Sequence, residues 1–226
     1  DFEKGEFKKD PTVEMLLLKR KNLIHKAHNK LSAFTTILYE LKNQDKLRFI
    51  FTYVPEGYIY SEEGQGEKLL DQFLLAGLRT IPEIKMNSYT TEDGDLENIL
   101  RGFSEGKIDM LFAMKMLDEG VDIPRAEIGI FCSSTGNPRQ FIQRRGRLLR
   151  KHPNKAFATI YDMVVIPNQS ISELELYNME KKLVKNELNR VAYFASLSMN
   201  YYDTKENLDE VCKKYELNLN EIINEL

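Results

Sequence analysis

The sequence predicts an α/β domain built on a mainly parallel sheet flanked by helices, with a helical C-terminal appendage. Three observations predict it. Short β-branched and aromatic runs alternate with helix-patterned segments between residues 46 and 167, the rhythm of strands joined by helical crossovers. After Pro167 only helical spacing remains. The 226 residues are 42% hydrophobic, enough for a packed core. The expected organisation is a linker and long helix over 1–45, the sheet domain over 46–168 and a helical extension over 169–226.

The elements follow in order. Residues 12–42 carry Leu23, Ala27, Leu31, Phe34, Leu38 and Leu41 at steps of three and four, one apolar stripe on one long helix. "KLRFIFTYV" (46–54) is a buried strand that Pro55 ends. "PEGYIYSEEGQGE", with three glycines, is a loop. Residues 66–79 are helical and "EIKMNSYT" (83–90) is a strand. "DLENILRGFSEG" (95–106) is a helix stopped by Gly106. "KIDMLFAM" (107–114) and "AEIGIFCSS" (126–134) are strands, "NPRQFIQRRGRLLR" is a helix from Pro138 to Arg150, and "KAFATIYDMVVIP" (155–167) is the last strand. In the tail, Tyr177, Val184, Leu188, Val191 and Ala195 form one helix face, and a shorter helical segment covers 205–225. Lys181, Lys182, Lys185 and Arg190, interleaved with Glu180 and Glu187, read as a solvated face.

Composition narrows the function. The net charge is −3 with 30% charged residues, so a polyanion must be met by a local patch and not by the whole surface. Two cysteines, Cys132 and Cys212, make no disulfide framework and fit a reducing compartment. No apolar run approaches the roughly 18 residues of a membrane span, and the opening "DFEKGEFKKDP" has no signal-peptide core.

The local patch exists. From Arg139 to Lys155 there are five arginines, two lysines and no acid. On a helix over 138–150, Arg147 and Arg150 share a face, as do Gln143 and Arg147. Gly146 between them lets a backbone or a phosphate come close. Two planar guanidinium forks on one face suit phosphate oxygens, or the charge that develops as a phosphoryl group leaves. A solvated basic helix end is the plainer reading of the same residues.

These residues resemble a known family. Gln143-Arg144-Arg145-Gly146-Arg147-Leu148-Leu149-Arg150 resembles motif VI, Q-x-x-G-R-x-x-R, of superfamily 2 helicases. "MKMLDEGVDIP" (114–124) resembles motif V, "RFIFTYVPEG" (48–57) motif IV, and "SSTGNPRQF" (133–141) the stretch leading into motif VI in the DNA-translocating branch. That branch holds XPB-like helicases and the motor subunits of restriction systems.

The resemblance implies a second RecA-like domain, which in such motors faces ATP and Mg²⁺ held mainly by a first RecA-like domain. Arg147 and Arg150 take the arginine-finger positions and Gln143 lies near the γ-phosphate. Gly120 and Asp122 hold the motif V positions toward the nucleotide. Thr90, Met114, Lys115 and Arg139 fall on the nucleic-acid side. Met114 stands where threonine is common, so only its backbone is left for a phosphate. Glu119 stands where RNA helicases of the DEAD-box type carry arginine. Both favour DNA over RNA.

No phosphate loop accompanies these motifs. "GFSEGKI" (102–108) is a residue short of G-x-x-x-x-G-K-[ST], with Ile108 where a hydroxyl would hold Mg²⁺. The chain is therefore expected to carry half an active site, to be inactive alone, and to belong to a longer protein whose first domain precedes Asp1. The expected partners are DNA, that first domain, and nuclease or other subunits of a restriction or repair complex, in a bacterial-type cytoplasm at the nucleoid. Two other functions compete: a non-catalytic nucleic-acid-binding module and a protein-interaction scaffold. The finger spacing favours the motor. His25 and His28, at i and i+3, read as structural and not as metal ligands, and no metal site is expected. Cys132 reads as core. Tyr53, Tyr58 and Tyr60 either pack or stack on bases.

Overall fold

The computed structural model describes residues 11–60, 66–114, 123–132, 138–167 and 174–225. It opens with two helices, α1 (Pro11–His25) and α2 (Lys30–Asn43). The single long helix expected over 12–42 is broken at 26–29. Leu23 is 76% exposed, so the stripe lies outside the core at its α1 end and packs onto it only from Leu31 onward. Asn29, a residue type that favours helix starts over helix interiors, opens α2. Only the second half of the stripe is buried, at Phe34, Leu38 and Leu41. His25 ends α1 and His28 lies in the connection, so the two do not share one helix.

The central strand is β1 (Ile50–Tyr53), buried at every position. It is shorter than the apolar run that contains it. The segment expected as a plain loop holds an antiparallel hairpin of β2 (Tyr58–Tyr60) and β3 (Gly66–Lys68), with Tyr58 opposite Lys68 and Tyr60 opposite Gly66. Helix α3 (Leu69–Thr80), strand β4 (Met86–Tyr89) and helix α4 (Leu96–Ser104) follow. Asp95 caps α4 by accepting from the Asn98 N–H at 3.0 Å. Gly106, at φ +74°, ends the turn beyond it. Then come β5 (Met110–Ala113), β6 (Ile128–Phe131), α5 (Pro138–Leu148) and β7 (Thr159–Asp162).

The sheet order is β4-β5-β1-β6-β7, and every pairing is parallel. One row across it reads Tyr89, Ala113, Tyr53, Phe131, Asp162. Parallel strands buried on both faces need two cores, and both are present. On one face α2 and α3 bring Phe34, Leu38, Leu41, Leu70 and Phe73 onto Ile50, Met110, Phe112 and Ile130. On the other, Phe103 of α4 and Leu148 of α5 cover Phe51, Tyr53, Leu111 and Phe131.

The tail is α6 (Leu174–Ser196), α7 (Tyr201–Asn207), α8 (Asp209–Lys214) and α9 (Leu219–Asn224). The short segment expected over 205–225 is thus three helices. They bury a third cluster with Val184, Leu188, Ala192, Tyr215, Leu219 and Ile222. The charged face of α6 is not uniformly solvated. Lys181 and Lys185 pair with Glu216 and Glu225 at the surface, but Glu187 and Arg190 are buried. No helix among the described residues is long and apolar enough to cross a membrane.

Candidate functional site

Because all five strands are parallel, their carboxyl ends share one edge, where ligands of such sheets bind. Thr90 and Met114 sit side by side there, each just past its strand. Met114 is half-buried against the α2–α3 core, so its side chain is committed to packing. The Thr90 N–H and hydroxyl both donate to Asp93, at 2.6 and 2.9 Å, and Ser88 donates to the other oxygen of that carboxylate. Lys68 of the hairpin pairs with Glu92 of the same loop. A phosphate at Thr90 would therefore have to displace an internal carboxylate. Lys115, Gly120 and Asp122 lie outside the described residues, as does Glu119.

The arginine-rich helix α5 leaves the carboxyl edge after β6 and runs back across the sheet. Its close approach depends on Gly129, where an added Cβ would come within 2.5 Å of Leu148 Cδ2 and 3.0 Å of Phe131. The helix ends at Leu148, so Arg150 lies past it and the common face expected for Arg147 and Arg150 is not helical spacing. Gln143 and Arg147 do sit one turn apart on α5. Gln143 and Arg150 are exposed and Arg147 is half-buried. Gly146 faces open space, with nothing within 4 Å of an added Cβ. Arg139 lies in the first turn, with its side chain outside the description.

The basic run is sorted by direction. Arg145 is 2% exposed and pairs with Asp162 at the end of β7. Its guanidinium lies over the rings of Phe131 and Phe194, at 4.7 and 4.9 Å from the centroids. Lys155 donates to the carbonyls of Leu148, Pro124 and Ala126 at 2.7, 2.8 and 3.1 Å, closing the C-terminal end of α5. Two of the charges that read as polyanion-binding are thus internal struts.

Asp162 has a second arm. Its other oxygen receives Arg190 of α6, which also donates to the Met163 carbonyl at 3.2 Å and pairs with Glu187 at 2.9 Å. Glu187 in turn accepts from the Val165 N–H at 3.4 Å. Burial works against the Arg190 charge, and Asp162 and Glu187 more than offset it, so its pKa is raised. Near this cluster is Lys30, at the start of α2. It is 6% exposed and its Nζ has no hydrogen-bond partner. Burial pulls its pKa down to about 8 against the attraction of Glu187. Burial likewise pushes the Cys132 thiol up; Cys132 is core, as its apolar strand implies.

The sequence reading missed Asp162 and Lys30, and placed Glu187 and Arg190 on a solvated face although both are buried. Signals existed for two of them. Asp162 interrupts an otherwise apolar "TIYDMVV", and a carboxylate in a strand core needs a partner. Arg190 lies between Leu188 and Val191 on the apolar side of α6. Tyr53 is buried, whereas Tyr58 and Tyr60 stand 43% and 66% exposed with rings stacked at 6.3 Å. No group of three or more metal-ligating side chains occurs among the described residues.

Sheet and site together define an α/β domain whose arginine-rich segment buries Arg145, half-buries Arg147 and leaves Gln143 and Arg150 exposed. The family follows from the sequence match. Residues 29–152, over half the chain, match the helicase conserved C-terminal domain, and the chain belongs to that family: it carries a C-terminal RecA-like domain of the superfamily 2 type. It is 40% identical over 73 residues to the DNA 3'-5' translocase XPB2 of Sulfurisphaera tokodaii, covering 32% of this chain and 17% of that protein. It is 34% identical over 73 residues to Dicer-like protein 2 of Cryphonectria parasitica, covering 32% and 5%. Among solved structures, a fragment of a putative HsdR subunit of a type I restriction enzyme from Vibrio vulnificus aligns at 19% identity and TM-score 0.47, over 64% of this chain and 28% of that one. The chain spans less than a fifth of the length of these two curated relatives.

Proposed function

We propose that the chain is the second RecA-like half of an ATP-dependent DNA helicase or translocase, and that it supplies Arg147 and Arg150 to a nucleotide held mainly by a first RecA-like domain. The observation that carries this reading is the sorting of the arginines. Arg145 is consumed inside the fold, whereas Arg150 stands exposed just past α5 and Arg147 lies one turn after the exposed Gln143. Gly146, which faces open space in the same segment, leaves room for a phosphate to approach the helix backbone there.

Bound ATP with Mg²⁺ would supply the phosphoryl bond whose cleavage drives the motor. The residues of this chain would do the rest of their side of the work. Arg147 and Arg150 would donate planar N–H forks to oxygens on which negative charge grows. Gln143, one turn before Arg147, would orient beside the terminal phosphate. Gly120 and Asp122 are proposed at the nucleotide by their motif positions. Lys115, Arg139, the Met114 backbone and Thr90 are proposed on the DNA side, Thr90 only if Asp93 releases it. The choice of DNA over RNA rests on Met114 and Glu119, and agrees with the translocase among the relatives. Subunits of a restriction or repair complex are proposed as further partners on the same resemblance.

The test is steady-state ATP hydrolysis at saturating DNA by the protein that contains both domains. Arg147→Ala and Arg150→Ala should each lower turnover about 10³-fold, the lower end of the range for arginine fingers, with ATP affinity nearly intact. Arg150→Lys should not rescue, because an ammonium is not a planar fork. Parental turnover in both alanine variants refutes the assignment. The plainer basic-patch reading predicts instead weaker DNA binding, a changed salt slope and normal turnover once DNA saturates.

A further inference from the structure

We infer that Arg190 and Glu187, in the C-terminal helical extension, are positioning residues for the arginine-bearing helix α5, acting through Asp162. The carboxylate of Asp162 is shared. One oxygen takes Arg145 from the middle of α5 and the other takes Arg190 from α6. The carboxylate cannot shift toward one guanidinium without loosening the other, so the placement of α6 sets the placement of α5. Arg147 follows Arg145 by two positions on that helix.

The extension has its own reasons to be rigid at this point. Glu187 is held between Arg190 and the Val165 N–H, and Arg190 also binds the Met163 carbonyl. These contacts lock α6 to the segment just past β7. Phe194, one turn beyond Arg190 on α6, covers the guanidinium of Arg145. The extension thus reaches Arg145 twice, through a shared carboxylate and through an aromatic ring. All four charged side chains are largely shielded from water, where ionic hydrogen bonds are stronger and a missing partner is costly. A cover on the third hydrophobic cluster would need none of this. Val184, Leu188 and Ala192 already bury that face.

The test begins with the 226-residue chain itself. Amide hydrogen exchange is measured for the parent, Arg190→Met, Glu187→Gln and Leu188→Ala. Arg190→Met keeps side-chain bulk but removes the second arm of Asp162. It should speed exchange across residues 142–148 by about tenfold while the β1 and β5 amides hold their parental rates. Glu187→Gln, which keeps an acceptor for Val165, should do the same to a smaller degree and guards against a misfolded methionine variant. Leu188→Ala loosens α6 without touching Asp162 and should leave α5 at its parental rates. Unchanged exchange in α5 on losing Arg190, or the same acceleration from Leu188→Ala, overturns the inference.

The kinetic arm rests on the proposed function. In the protein with both domains, Arg190→Met should lower kcat and leave the KM for ATP within about twofold, the signature of a displaced group that acts in the transition state. Arg147→Ala is run beside it. If that variant keeps parental turnover, the finger reading fails, and the exchange result still decides the positioning role.

Discussion

Lys30 is where the fold works against itself, and replacing it should stabilise the protein. Its ammonium is 6% exposed with no hydrogen-bond partner. It also sits at the start of α2, the end of a helix that disfavours positive charge. Burial lowers its pKa from the ordinary 10.5 to about 8. At about 1.4 kcal/mol per pH unit, that difference makes the charged form about 3 kcal/mol less favourable in the folded chain than in the unfolded one. Lys30→Met keeps the alkyl length and removes the charge. Glu187 retains Arg190 as its partner, so no carboxylate is orphaned. The expected gain at pH 7 is about 1–3 kcal/mol, the lower values allowing for relaxation around the amine.

The pH dependence has a defined sign. Between pH 8 and 10.5 the unfolded state binds more protons at Lys30 than the folded state does, so the lysine's penalty is fully present below pH 8 and fades as pH rises through that window. The advantage of the methionine variant should therefore be largest at pH 7 and shrink toward pH 10.5. Tyr215, whose pKa burial raises, titrates in both proteins and cancels in the difference. Urea denaturation followed by circular dichroism at a series of pH values measures it, with equal m-values as the condition for comparison. A methionine variant less stable than the parent at pH 7, or an advantage that stays constant to pH 10, refutes the reasoning.

Other outcomes are expected from the packing of α5. Gly129→Ala puts a methyl within 2.5 Å of Leu148 and should cost about 1–3 kcal/mol in thermal or denaturant unfolding; an unchanged melting temperature would mean that α5 yields freely. Lys155→Met removes the donor shared by the Leu148, Pro124 and Ala126 carbonyls and should cost about 2–3 kcal/mol, with faster exchange at the C-terminal end of α5; a cost near zero would show that water replaces the ammonium without loss.

Much of the fold was legible because parallel strands advertise themselves. All five sheet strands lie inside runs recognised by their β-branched and aromatic residues, although each is shorter than its run. Apolar residues flank a strand on both sides when the connecting loops are also buried, as at Phe49 and Val54. Gly106 stopped α4 as its position implied. The hairpin at 58–68 was hidden because its strands face solvent on both sides and so lack an alternation to detect. The break at 26–29 was hidden because periodicity records where a core would lie and not whether one is there. At the site, the identity of the basic run was readable but its direction was not. Arg145 and Arg147 are chemically alike, and only the position of Asp162 in the sheet marks Arg145 as the fully buried one.

The order in which this chain leaves a ribosome bears on how it must be handled. Strand β1 is the centre of the sheet, yet its partners come late. Ile50 pairs with Met110 and with Ile128, 60 and 78 positions further on. At synthesis rates of about 5–20 residues per second, the buried strand "IFTY" waits about 3–12 seconds before its first hydrogen-bonding neighbour exists. During that wait only α2, and then α3, can shield one of its faces, through Phe34, Leu38 and Phe73. The other face, with Phe51 and Tyr53, has no cover until Phe103 and Leu148 are made. Slow translation or low temperature prolongs the interval in which two aromatic strand residues lie bare. The yield of soluble chain should therefore respond more to elongation rate and to chaperones that hold nascent segments than to the final stability of the domain.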